Sequence, residues 1–121
     1  MRRNAILRNS SSSATVVGVT SNTGGIAGVL TDDARVKDVQ SSGMVNSSQQ
    51  ATGGIAGLVR TRALLRNSSS SATVNSTASN TGGIVGLSND EAEVIDVQSS
   101  ATVSSAGGVG GIVGGMNDNV E

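Results

Sequence analysis

Hydroxyl groups are the first candidates for chemistry in this 121-residue chain. Four serines run together at Ser10, Ser11, Ser12 and Ser13, and four again at Ser68, Ser69, Ser70 and Ser71. A serine nucleophile needs a neighbouring base, but the chain has no His and a single lysine, Lys37. The lack of Cys and His also removes Cys-His nucleophiles and the usual zinc and iron–sulfur ligand sets. These serines therefore read as turn-forming, outward-facing residues. No catalytic residue and no cofactor is expected.

Three further patterns resemble sites and lack a necessary part. The stretch Gly107-Gly108-Val109-Gly110-Gly111-Ile112 is glycine-rich like a phosphate loop, but no Gly-Lys-(Ser/Thr) ending and no helix follows. Asp32-Asp33 and Asp90-Glu91 could meet a hard cation, yet neither lies in a calcium-loop pattern, so both read as corner charges and no metal site is expected. Asn9, Asn46, Asn67 and Asn75 each begin an Asn-x-(Ser/Thr) sequon, which matters only in a compartment that glycosylates.

The missing residue types exclude whole classes of function. Without Phe, Tyr or Trp there are no stacking platforms for single-stranded nucleic acid or sugar rings. Eight basic residues within a net charge of −1 give no electrostatic footprint for DNA. No apolar run approaches the roughly 20 residues of a membrane helix. Met1-Arg2-Arg3-Asn4 is basic, but no apolar signal-peptide core follows it. No nucleic-acid partner and no membrane insertion are expected.

The elements that carry these residues follow from an internal repeat. Gly-Gly-Ile occurs at Gly24-Gly25-Ile26, Gly53-Gly54-Ile55, Gly82-Gly83-Ile84 and Gly110-Gly111-Ile112, at spacings of 29, 29 and 28. In phase with it, the chain divides into four units of about 5–33, 34–62, 63–91 and 92–119 within one domain. The one deletion falls between Val103 and Gly110, a natural place for a loop. A second period of 58 lies on top: Ala5 to Val16 returns nearly unchanged as Ala63 to Val74, and Val36 to Ser42 returns as Val94 to Ser100. Odd units resemble odd units, and even units resemble even ones.

Gly and Ser make up about 31% of the chain, a level typical of disorder, but a floppy linker does not place Ile and Val at matching phase. Within each unit, short β-rich runs separated by Ser, Asn, Thr and Gly predict three short strands, and no segment shows helical periodicity. The fold expected is all-β: a parallel β-solenoid of four coils of about 29 residues. Equivalent residues then stack about 4.8 Å apart along parallel ladders. Ile26, Ile55, Ile84 and Ile112 form one interior column, and Val16, Val45, Val74 and Val103 another. Leu7, Val36, Leu65 and Val94 form a third, and Ala5, Ala34, Ala63 and Ala92 a fourth. The paired glycines mark places where a Cβ would clash or where φ is positive.

The run Val94-Ile95-Asp96-Val97-Gln98-Ser99-Ser100-Ala101-Thr102-Val103, followed by Val109-Gly110-Gly111-Ile112-Val113-Gly114, resembles the GLUG repeat. That family's unit is a Gly-Gly-Leu-Val-Gly core followed by an Asn-Ser-Tyr-Ala-Thr-Gly-like segment. Here Ile stands for the usual Leu, and Val39, Val97 or Ser stands where the aromatic is expected. The resemblance covers all four units. It implies a secreted or cell-surface structural protein, such as an adhesin, whose repeats extend and interact without catalytic residues.

A solenoid exposes parallel-sheet edges at both ends unless they are capped, and no cap is visible. Val120 stands in the phase of Ala5, so a second molecule would continue the spiral. Up one corner the charges alternate: Arg2 and Arg3, then Asp32 and Asp33, then Arg60 and Arg62, then Asp90 and Glu91. Asp118 and Glu121 close the series with an acidic excess that Arg2 and Arg3 of a next subunit would meet. The function expected is a non-enzymatic structural protein forming a head-to-tail homopolymer, an extracellular or surface filament. The alternatives are an adhesin repeat fragment of a larger surface protein and an ice-binding solenoid. The last rests on two threonine columns, Thr15, Thr73, Thr102 and Thr23, Thr52, Thr81, which Met44 and Val109 interrupt.

Overall fold

The computed structural model describes residues 5–19, 21–48, 50–77 and 79–116. Every regular element among them is a β-strand, and every strand pairing is parallel. Successive coils stack in one register: Leu7 lies beside Val36, Val36 beside Leu65, and Leu65 beside Val94. The chain is a β-solenoid of about four turns.

The first two coils carry four strand segments and the last two carry five, where the sequence predicts three. In the second coil they are Arg35–Ser41, Met44–Ser47, Thr52–Gly53 and Ala56–Val59. They build one six-stranded and three four-stranded sheets. The predicted Gly-Gly-Ile strand is broken because the chain bends there. The N–H groups of Ile55 and Ala56 both donate to the Ile84 carbonyl, at 2.8 and 3.0 Å, and Ile84 and Val85 repeat this onto Ile112. Two donors on one carbonyl cannot continue a straight ladder, so two sheets meet at this corner. The 28-residue spacing is taken up in the loop before Val109: Ser76 still pairs with Ser105, while Thr81 pairs with Val109.

The bend after the last strand of a coil uses left-handed backbone without glycine. Asp32-Asp33, Thr61-Arg62 and Asp90-Glu91 all have φ between 53° and 64°. The residue after each pair donates back across the turn, as Ala63 N–H does to the Arg60 carbonyl at 3.2 Å. This is the φ signature of the tight turn usually built from Asn and Gly. A column of bulges at Asn9, Asp38, Asn67 and Asp96 has φ between 51° and 55°, in residues that tolerate that region. No glycine among the described residues has positive φ, so the paired glycines of the first three coils answer to close approach. A Cβ on Gly53 would lie 2.1 Å from the Ala56 carbonyl oxygen and 2.6 Å from that of Ile84.

Burial follows the stacking. Leu30, Val36, Val39, Ile55, Val59, Leu65, Ile84 and Val85 form the main core, and Val45, Ala72 and Val74 a smaller one. Val16, Ile26 and Val103, in the outer coils, are half-buried. Ile112, expected inside, is 40% exposed, because among the described residues no coil lies over the fourth. Polar columns flank the smaller cluster along the chain. Thr23 Oγ1 donates to Ser47 Oγ at 3.3 Å, and Thr81 Oγ1 to Ser105 Oγ at 3.0 Å.

Candidate functional site

The serine runs are partly strand: Ser10, Ser11 and Ser12 end one, Ser69 and Ser70 form another, and Ser13, Ser68 and Ser71 flank them. Strand alternation sends Ser10 and Ser12 toward the interior, while Ser11 and Ser13 are exposed. The interior places are deeply buried in the middle coils: Ser41, Ser68 and Ser70 are each under 5% exposed. Inward and outward residues together line a groove of about 480 Å³ that crosses all four coils, where Gln40 and Gln98 alternate with Ser11 and Ser69. Its walls are hydroxyl and amide throughout, with no group able to act as a general base.

The acidic corner is a charge ladder. Arg62 Nε donates to Asp33 Oδ1 at 3.0 Å and its Nη2 to Oδ2 at 3.1 Å, a bidentate pair between adjacent coils. The hydrogen bond from Arg62 holds the Asp33 carboxyl below the usual carboxylate range, and the same bond raises the guanidinium. Both side chains are largely solvated, so the pair fixes register more than it stabilises. Among the described residues no three His, Cys, Asp or Glu side chains gather as a metal site.

A second outer ladder runs up the bulges. The Asn67 side-chain amide donates to Asp38 Oδ1, and Arg66 Nε stands 3.9 Å from Asp96 Oδ2. Of the sequon residues, Asn75 donates to Asn46 at 3.1 Å. Of the two threonine columns, Thr23, Thr52 and Thr81 are buried, so that rank cannot meet an ice surface. Thr15, beside Met44, and Thr102, beside the half-buried Thr73, remain exposed.

The remaining candidate surfaces are the outer faces of the first and fourth coils, which no coil covers among the described residues. In the fourth coil Val109 is 50% and Met116 56% exposed, beside Ile112. Arg2, Arg3, Asp118 and Glu121, the expected interface charges, lie outside the described residues. Sequence reasoning missed the interior column Ser10, Val39, Ser68, Val97. Its signal was the 58-residue alternation of Ser with Val at one phase position.

The fold and these surfaces define a parallel β-solenoid with hydrogen-bonding outer ladders. No protein-family model matches the chain, and neither a curated protein nor a solved structure matches it.

Proposed function

We propose that this chain is a non-enzymatic structural protein that extends by head-to-tail stacking of its coils into an extracellular or cell-surface filament. One observation carries the reading: the first and fourth coils leave half-buried or exposed the same columns that the middle coils bury. Val16 and Ile26 at one face and Val103 and Ile112 at the other are in phase with Val45, Val74, Ile55 and Ile84. Stacking one face on the other completes each column and pairs the open strand edges. The contact is heterologous, so it propagates as a fibre and does not close. The surface location rests on the GLUG resemblance, as does the related reading of an adhesin repeat.

Sedimentation velocity and electron microscopy test this on the purified chain. The expected result is a polymer that grows with concentration, seen as thin unbranched filaments. A monomer at every concentration overturns it. Charge reversal examines the ends: Arg2→Glu with Arg3→Glu should block assembly, and a partner carrying Asp118→Arg with Glu121→Arg should restore it.

A further inference from the structure

We infer that the open face of the fourth coil is built to receive an odd coil, and that Ser10 and Asn9 of a second copy are the residues it selects. The inference rests on the head-to-tail reading and adds to it the contact that sets register.

The template is the contact between the second and third coils. At the bulge the backbone ladder is interrupted, and a side chain replaces it: Val39 N–H donates to Ser68 Oγ at 3.3 Å. Ser68 is held for this task, because its own hydroxyl donates to the Arg66 carbonyl at 2.8 Å and leaves a lone pair toward Val39. Beside it the Asn67 amide donates to the Asp38 carboxylate. An even coil thus supplies an N–H and a carboxylate, and the odd coil stacked on it supplies a hydroxyl and an amide.

Both halves of this contact recur at the two open faces. Ser10 Oγ donates to the Arg8 carbonyl at 3.1 Å, two residues back, as Ser68 does to Arg66. Asn9 has φ 53° against 54° for Asn67, so its bulge has the same shape. In the fourth coil Asp96 has φ 51° against 55° for Asp38, and Val97 follows it as Val39 follows Asp38. A second copy seated on the fourth coil would accept the Val97 N–H at Ser10 and set the Asn9 amide on Asp96. An even coil in that place would offer Val where the hydroxyl is needed and would put Asp on Asp. Head-to-tail stacking would therefore carry the odd-on-even order of the second and third coils across the junction.

The critical concentration for assembly of the full chain, read by sedimentation, tests this in three variants. Ser10→Ala strips the acceptor and strands the Val97 N–H, and should raise the critical concentration roughly ten-fold. Ser10→Thr keeps the hydroxyl and should stay near wild type, as should Ser13→Ala on the outward face of the same run. Thermal melting in dilute solution accompanies each variant. Ser10 lies half-buried in an outer coil, so the monomer should melt within a few degrees of wild type. Filaments that form equally well with Ser10→Ala would overturn the register device and leave head-to-tail assembly standing. Loss of assembly in Ser10→Thr as well would assign the effect to packing and overturn the device. A wild-type chain that never assembles would remove both readings.

Discussion

Gly54 and Gly111 occupy the same column, and replacing each by Ala should have opposite effects. A Cβ on Gly54 would sit 2.2 Å from the Gly83 carbonyl oxygen and 2.3 Å from Ser70 Oγ, both belonging to the coil above. The carbonyl cannot retreat by about an ångström without breaking the adjacent bonds from Ile55 and Ala56 to Ile84. Two buried bonds left unmade cost roughly 2–6 kcal/mol, a large part of the stability of a small domain. On Gly111 the same Cβ meets nothing within 4 Å. With φ outside the left-handed region, Gly111→Ala should stabilise the monomer by about 0.4–1 kcal/mol through the unfolded chain. In the proposed filament, however, Gly25 and Ser12 of the next copy would cover Gly111, as Gly83 and Ser70 cover Gly54, so the same methyl should abolish assembly. Circular dichroism melts of the dilute protein read the first effect, and sedimentation reads the second. A Gly111→Ala chain that melts as early as Gly54→Ala would refute the open-face geometry. One that melts late and still polymerises would refute the stacking.

The interior columns should reject charge: Ile55→Asp or Val74→Asp should prevent folding, whereas Ser69→Asp, outward on its strand, should cost little, all three read by circular dichroism. Equal tolerance would mean the inward faces are misassigned. Asp33 should titrate below the ordinary carboxylate range by NMR and return to it in Arg62→Ala. Because the folded value is the lower one, this pair's small contribution is present above the ordinary carboxylate pKa and is lost as pH falls through the depressed value. An unchanged titration in Arg62→Ala would show that the bidentate bond does not persist in solution.

The coil period and the aliphatic columns were legible because Ile, Val and Ala repeat at 29 residues and have no reason to do so on a surface. The serine columns were not, because Ser is common in turns and its hydropathy gives no inward or outward signal. Only the alternation along Ile6–Ser12 places Ser10 and Ser12 inside. The corner turns misled in the other direction. Glycine is the usual answer to positive φ, yet here Asp, Arg, Thr and Glu adopt it, and glycine is kept for the corner where a methyl would strike the next coil. The break in the Gly-Gly-Ile strand depends on a pair of bonds to one carbonyl, which no periodicity records.

The double period becomes physical once each column is asked what an identical neighbour would do at about 4.8 Å. Ile on Ile, Ala on Ala and Gly on Gly are compatible, and those columns keep the 29-residue period. Asp on Asp is not, and the bulge column alternates Asn9, Asp38, Asn67, Asp96, so that amide meets carboxylate. The turn column sets Arg62 between Asp33 and Glu91 for the same reason. In the column Ser10, Val39, Ser68, Val97, Ser follows Val where the interrupted Val39 N–H takes the hydroxyl of Ser68 in the next coil. Alternation therefore falls where like residues would conflict or leave a bond unmade, and it makes every coil specific for a neighbour of the opposite kind.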